Sequence, residues 1–236
     1  MVRKALSQLI FGKGLPRNTG LHPTLRKRRD NLVAIWNNAY QEDAGLEKAV
    51  RLFLAAVQFL FPGTYIRHLF WRKGPLMQDF AIEVFVLAKT FLPLVGIYFG
   101  WTHQPWIVAL VVWFMLETVT YIPTLIFASD TFPTPRSFRR SKILIFLNYL
   151  EVVFAFAAIY SAGDLLNVPF SHWFDPVYYS FMTTSTIGYG DLYPVTAAGK
   201  ALASLQSLFY LSYILLFIGF FRMGKEKGYF GDKKGG

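Results

Sequence analysis

The chain has 236 residues, of which 54% are hydrophobic and only 16% charged, with 24 Phe. Ordinary soluble domains carry about 25% charged residues, so this composition excludes one and sends several stretches into lipid. The net charge of +10 comes without any nucleic-acid-binding motif, so no nucleic acid is expected as a partner. The basic residues gather near the N-terminus and beside apolar segments, as flanks facing anionic lipid do. There is no cysteine, which removes disulfides, thiolate metal sites and a cysteine nucleophile.

Residues 1–45 are basic and broken by Gly12, Gly14, Pro16, Gly20 and Pro23, with the run Arg26-Lys27-Arg28-Arg29 among them. They read as a cytoplasmic tail, solvated or resting on anionic lipid. The apolar patch within Met1 to Phe11 is too short for a leader core, so no cleaved leader is expected. Residues 46–79 open with an amphipathic helix over 46–61. Glu47, Lys48, Arg51 and Gln58 share one face, Leu46, Val50, Phe53, Leu54, Val57 and Phe61 fill the rest, and Pro62-Gly63 ends it. That pattern suits a helix lying in the membrane interface.

A membrane span needs about 20 mostly apolar residues. Phe80–Gly100, Trp106–Ala128, Ile143–Ala162 and Ala201–Phe221 qualify. The first two, within residues 80–128, form a hairpin whose short link is flanked by Trp101 and Trp106, residues that favour the membrane boundary. The link 129–142 is basic and carries prolines. Arg136, Arg139 and Lys142 recur there at a spacing of three, but the span that follows holds no Arg or Lys. They read as interfacial anchors, and steep voltage sensing is not expected.

Between the third and fourth spans, Asp175-Pro176 predicts a helix start with the aspartate as N-cap. The run from Val177 to Thr184 is too short to span, and a glycine-bearing loop follows. Such a re-entrant segment survives at membrane depth only if buried in protein or lining a watery path. The fold class is therefore an all-α membrane protein. It has four transmembrane helices, a re-entrant pore helix and loop between the last two, and an N-terminal interfacial amphipathic helix.

The string Thr183-Thr184-Ser185-Thr186-Ile187-Gly188-Tyr189-Gly190-Asp191, continued by Leu192-Tyr193-Pro194-Val195-Thr196, resembles the signature of the tetrameric P-loop potassium channel family, in its bacterial type. The resemblance covers residues 143–222 as a pore domain of outer helix, pore helix, filter and inner helix. It implies a potassium-selective channel subunit in a homotetramer. In that family the carbonyls of Thr186, Ile187, Gly188 and Tyr189 line the pore and coordinate dehydrated K+, which is the permeant ion and not a cofactor. Gly188 and Gly190 supply the backbone conformations with φ > 0 that aim successive carbonyls inward. Ile187 and Tyr189 would point away from the ions. Asp191 would hydrogen-bond behind the filter, with Tyr178, Tyr179 and Trp173 packed nearby. Met182 stands where some bacterial members place a carboxylate, so that pairing is absent. Tyr210 stands where many members have a glycine hinge, and Gly219 comes later. Leu211, Ile214 and Ile218 are candidates for the cavity wall. A weakly selective cation channel and a non-conducting regulatory subunit are the alternative readings.

The family topology puts both termini in the cytoplasm of a cell-membrane protein. Lys and Arg number 13 in residues 1–79, 4 in 129–142 and 5 in 222–236, and the remaining two are Lys200 and Lys89. That distribution follows the positive-inside rule. Residues 223–236 are a short basic tail, with no appended ligand-binding domain expected. Lys89, Glu117 and Glu151 lie inside spans at a shared depth, so Lys89 can pair with either glutamate. No enzyme is expected. His22, His68, His103 and His172 are scattered without metal-ligand spacing, and no phosphate loop or nucleophile elbow occurs.

Overall fold

The computed structural model describes residues 24–39, 44–127 and 138–223, apart from the side chains of residues 125, 126, 138 and 216–223. Among these residues the regular structure is helical, with one isolated bridge between Leu166 and Pro194. In chain order the helices are α1 (Thr24–Trp36), α2 (Gly45–Val57), α3 (Pro62–Leu69), α4 (Pro75–Tyr98), α5 (Pro105–Phe127), α6 (Phe138–Ser161), α7 (Asp175–Thr184) and α8 (Ala197–Met223).

Three stretches, Pro75–Tyr98, Pro105–Thr124 and Arg139–Ser161, are long and apolar enough to cross a membrane. The fourth expected span falls inside α8, a helix of 27 residues. Helices α4 and α5 start before their apolar runs because Pro75 and Pro105 sit at their first positions, where a missing N–H costs nothing. The turn between them uses Gly100 at φ 68°, a left-handed position that suits glycine.

Helix α6 is the element that the rest surrounds. Every residue from Val152 to Ala158 is buried, and α6 packs against α4 and α5 on one side and α7 and α8 on the other. A helix apolar all round is what such a position requires.

The N-terminal region departs from expectation in two ways. Residues 1–23 and 40–43 lie outside the described residues, but 24–36 are not tail. They form α1, which packs on α2 and α3 with Ile35 fully buried and Asn31 nearly so. Leu32 and Ile35 give this basic run an apolar edge. The amphipathic helix also forms, but its faces do not sort by polarity: Glu47 stays exposed, while Arg51 and Gln58 turn inward beside Leu54 and Phe61. Arg51 is 2% exposed and Gln58 8%, while Leu46, Phe53 and Leu60 are 81%, 61% and 66% exposed. Gln58 donates to Thr124 on α5 (3.4 Å). The stretch Gly45–Leu60 and α3 meet at a bend of 65°, and together they are long and apolar enough for one broken span or a re-entrant loop. The link residues 128–137, Arg136 among them, lie outside the described residues. Arg139 and Lys142 belong to the first turns of α6, and Arg140 there pairs with Asp79 (3.0 Å) and Glu83 on α4.

Of the three intramembrane charges, Lys89 and Glu151 pair with each other and Glu117 does not join them. Lys89 Nζ lies 3.0 Å from Glu151 Oε2 and donates to Thr118 Oγ1 (2.5 Å). Thr118 in turn donates to the same carboxylate oxygen (2.6 Å). One cation, one hydroxyl and one carboxylate thus join α4, α5 and α6. Glu117 Oε1 instead accepts the Gly63 N–H (2.9 Å), an amide in the first turn of α3 that has no acceptor within its helix. A side chain at Gly63 would meet that oxygen, since an added Cβ falls 2.3 Å from it.

Removing one member of a buried ion pair costs about 3–5 kcal/mol, because the other charge stays buried alone. K89M is therefore expected to lower the melting temperature sharply in detergent or nanodiscs, and K89M combined with E151L to recover most of the loss. E117Q keeps an acceptor for Gly63 and should cost only about 1 kcal/mol. Equal losses in K89M and E117Q would remove the assignment of Glu151 as the Lys89 partner.

Candidate functional site

The site is built on a short helix held at both ends. At its start, Asp175 does not cap forward as its position suggested; no side-chain bond to the helix amides forms. Its carboxylate turns back and accepts from the Ser171 N–H (2.8 Å), the Ser171 hydroxyl (3.1 Å) and the His172 N–H (2.8 Å). Its slight burial works against ionisation, but those donors outweigh it and hold the carboxyl below its ordinary range. Along the helix, Val177, Tyr179, Ser180 and Thr184 face inward and are buried. The Ser180 hydroxyl donates to the Val153 carbonyl of α6 (2.6 Å), and Phe181 meets Phe154 edge-on at 5.8 Å.

The chain then reverses onto the end of its own helix. The last carbonyls of any helix lack intrahelical donors. Here the following segment supplies them. Ser185 N–H donates to Phe181 O (2.8 Å), Thr186 N–H to Thr183 O (3.2 Å), and Ile187 and Gly188 N–H both to Met182 O (3.1 and 3.3 Å). The amides of 186–188 are thereby used up on the helix, and among the described residues no backbone donor takes the carbonyls of the same residues. Positive φ falls on every second residue: Thr186 at 59°, Gly188 at 51° and Gly190 at 82°. An added Cβ at either glycine would meet nothing within 4 Å, so backbone conformation and not space demands glycine there. Thr186 reaches the same region without being glycine, which composition did not foretell.

Beyond the glycines the segment is clamped. Asp191 accepts the Tyr178 hydroxyl (2.9 Å). Asn167 donates to the Asp191 carbonyl (3.0 Å) and accepts the Tyr193 N–H (2.9 Å), while its own N–H goes to Tyr193 O (2.9 Å). Val195 N–H reaches Leu165 O (3.1 Å). Thr196 caps α8 by accepting the Gly199 N–H (3.0 Å), and Gly199 admits no side chain, because its Cβ would lie 2.7 Å from Leu165 O.

Tyr179 packs edge-on against Tyr160 at 4.8 Å. Trp173 lies elsewhere than expected, edge-on to Tyr98 of the α4–α5 hairpin at 5.4 Å. Met182 contributes its carbonyl. Ile187 and Tyr189 are 51% and 71% exposed. Leu211 and Ile214 are 56% and 37% exposed and stand beside Leu205, Leu208 and Leu215, also exposed. The Ile218 side chain lies outside the described residues. Sequence reasoning missed the half-buried Asn167 and the buried Gln206. The Gln206 amide donates to Ser180 O (3.0 Å), Ser180 Oγ (2.8 Å) and Thr184 Oγ1 (2.5 Å) and accepts the Tyr160 hydroxyl (3.0 Å). A lone amide in an apolar span was the available signal.

Residues 144–223 match the family model described as "Ion channel". The chain is similar over 73 residues to Potassium voltage-gated channel subfamily A member 6 of Mus musculus, 36% identical, covering 30% of this chain and 14% of the relative. It is similar to subfamily A member 5 of Homo sapiens, 36% identical over 73 residues, covering 30% and 12%. It is also similar to subfamily KQT member 1 of Felis catus, 33% identical over 85 residues, covering 34% and 15%. The chain thus spans a small part of the length of these relatives. No solved structure matches it. The segment 144–223, with its long first helix, short re-entrant helix and reversed loop, is thus the part of the chain that matches an ion channel family.

Proposed function

We propose that this chain is one subunit of a potassium-selective channel, with Thr186–Gly190 as its selectivity filter. The observation that carries the reading is the disposal of the amides. Ions shed water only where oxygens replace it, and here the N–H groups of 186–188 are spent on the pore-helix end. Positive φ at alternate residues supports successive peptides turned alike, with the carbonyls of Thr186, Ile187, Gly188 and Tyr189 proposed to share one direction.

One chain offers one carbonyl per level, so a closed cage takes several copies. The exposed apolar stripe of α8 and the uncovered Ile187 and Tyr189 are the surfaces that neighbouring copies would cover. Four copies around one axis is the proposed assembly, with Leu211, Ile214 and Ile218 toward the inner cavity. Both termini lie in the cytoplasm of a cell-membrane protein. Arg26, Lys27 and Arg29, exposed on α1, face anionic lipid.

The reversal potential of the purified protein in a planar bilayer, with K+ on one side and Na+ on the other, tests selectivity. A value near the K+ equilibrium potential is expected. Robust current reversing near zero would replace the reading with a weakly selective cation channel. Gly188 holds a left-handed backbone that costs about 1–2 kcal/mol for an L-residue. G188A should therefore reduce K+ over Na+ permeability by about 5- to 30-fold, and an unchanged ratio would remove Gly188 from the filter. Light scattering of the purified protein should give four times the protomer mass, and a monomer or dimer would overturn the assembly.

A further inference from the structure

The serines and the glutamine of α8 bond in two different ways. Ser204, Ser207 and Ser212 bond back to carbonyls one turn earlier in their own helix: Lys200 O, Ala203 O and Leu208 O at 2.9, 3.0 and 3.1 Å. They satisfy themselves and bind nothing else. Gln206 makes no such bond. It is 1% exposed, and its side chain spends all of its hydrogen bonds on other helices.

The direction of each bond follows from the rest. The Ser180 hydroxyl gives its proton to Val153 O, and the Thr184 hydroxyl gives its proton to Ser180 O (2.7 Å). Both hydroxyl oxygens are left as acceptors, and the Gln206 NH2 is the donor that faces them. The Tyr160 hydroxyl then donates to Gln206 Oε1. The amide is thus a directed link from α6 through α8 to α7, satisfied at both ends, which is the condition for a buried polar network to specify one arrangement.

Its attachment point matters more than its strength. Ser180 and Thr184 are one turn apart on the inward face of α7, and Thr184 ends the helix, two residues before Thr186. Any shift of that last turn relative to α8 moves the carbonyl of Met182, which holds the amides of Ile187 and Gly188. We propose that Gln206 is a positioning residue for ion selection, a hydrogen-bonded latch that fixes the inner helix to the base of the filter. The inference rests on the potassium-channel reading above and deepens it. Without the latch the filter oxygens keep their chemistry but lose their fixed spacing, and discrimination between K+ and Na+ falls.

The experiment compares wild type, Q206M, Q206E and Y160F in planar bilayers under opposed K+ and Na+. Wild type that fails to select overturns the channel reading itself, whatever the variants do. If wild type selects, Q206M, which keeps the bulk and loses the bonds, is expected to lower the K+ over Na+ permeability ratio about tenfold, the worth of one or two net hydrogen bonds. An unchanged ratio in an assembled Q206M overturns the latch. If Q206M does not assemble, Q206E decides. A carboxylate cannot donate to Ser180 and Thr184, but a protonated carboxyl can, and burial favours the protonated form. The titratable group in contact with this position is the Tyr160 phenol, which stays neutral in acid. Selectivity of Q206E should thus recover as pH falls, relative to wild type in the same series, and Y160F should show a smaller loss than Q206M. A role in filling space alone predicts that Q206E follows wild type at every pH, and that result would overturn the proposal.

Discussion

A backbone that carries ions through hydrocarbon must keep its carbonyls free while leaving no amide unpaired. In the proposed reading this chain meets both demands over residues 185–188 by placing the reversed segment against the end of a helix that has acceptors to spare. The Phe181, Met182 and Thr183 carbonyls take the amides of residues 185–188. Much of the pore domain follows from that arrangement. The helix must stop at Thr184, so it is short. Being short, it gains little stability from its own length, and it is tied down by side chains. The Asp175 turn holds its start, Ser180 ties its middle to α6, and Gln206 ties its last turns to α8. The far side of the loop is held by Asn167 and the Leu166–Pro194 bridge.

The second organising contact is Lys89–Thr118–Glu151. A buried ion pair is a poor source of net stability, because desolvation cancels most of the attraction. It does dictate register. Lys89 finds its counter-charge only if α4 stands at one height and rotation against α6, and Thr118 adds the same condition for α5. Since α6 is also the outer helix of the ion channel domain, the pair fixes the hairpin to that domain and not merely beside it. Glu117, one residue from Thr118, takes the start of α3 instead. Adjacent positions on α5 thereby serve different partners.

The helical segments and the short re-entrant helix were legible because hydropathy, proline and glycine act locally. The glycines with positive φ were legible for the same reason. What was hidden depends on rotation and on distant sequence. The choice between Glu117 and Glu151 turns on which face of each helix meets Lys89. Leu32 and Ile35 are ordinary residues in a run that reads as solvated until α2 and α3 cover them. Asn167 and Gln206 act on residues 24 and 26 positions away, beyond any local pattern. Arg51 shows the opposite failure: its face was read correctly as polar, but polarity alone does not say whether that face meets water or protein.

Thr186 carries the remaining tension. A β-branched residue at φ 59° sits in a region that costs of order 1–3 kcal/mol. Within one chain its backbone gains a single hydrogen bond, to Thr183 O, worth about 1 kcal/mol net. The two do not close the balance at the upper end, and Ile187 and Tyr189, which flank Gly188, are largely exposed. In the proposed fourfold assembly the deficit falls on contacts between chains and on ions held by the carbonyls. Both favour the conformation that aims oxygens inward. Filter geometry, subunit assembly and ion occupancy then become linked quantities: each stabilises the others through the same few residues, and the isolated protomer holds only the part written into its pore helix.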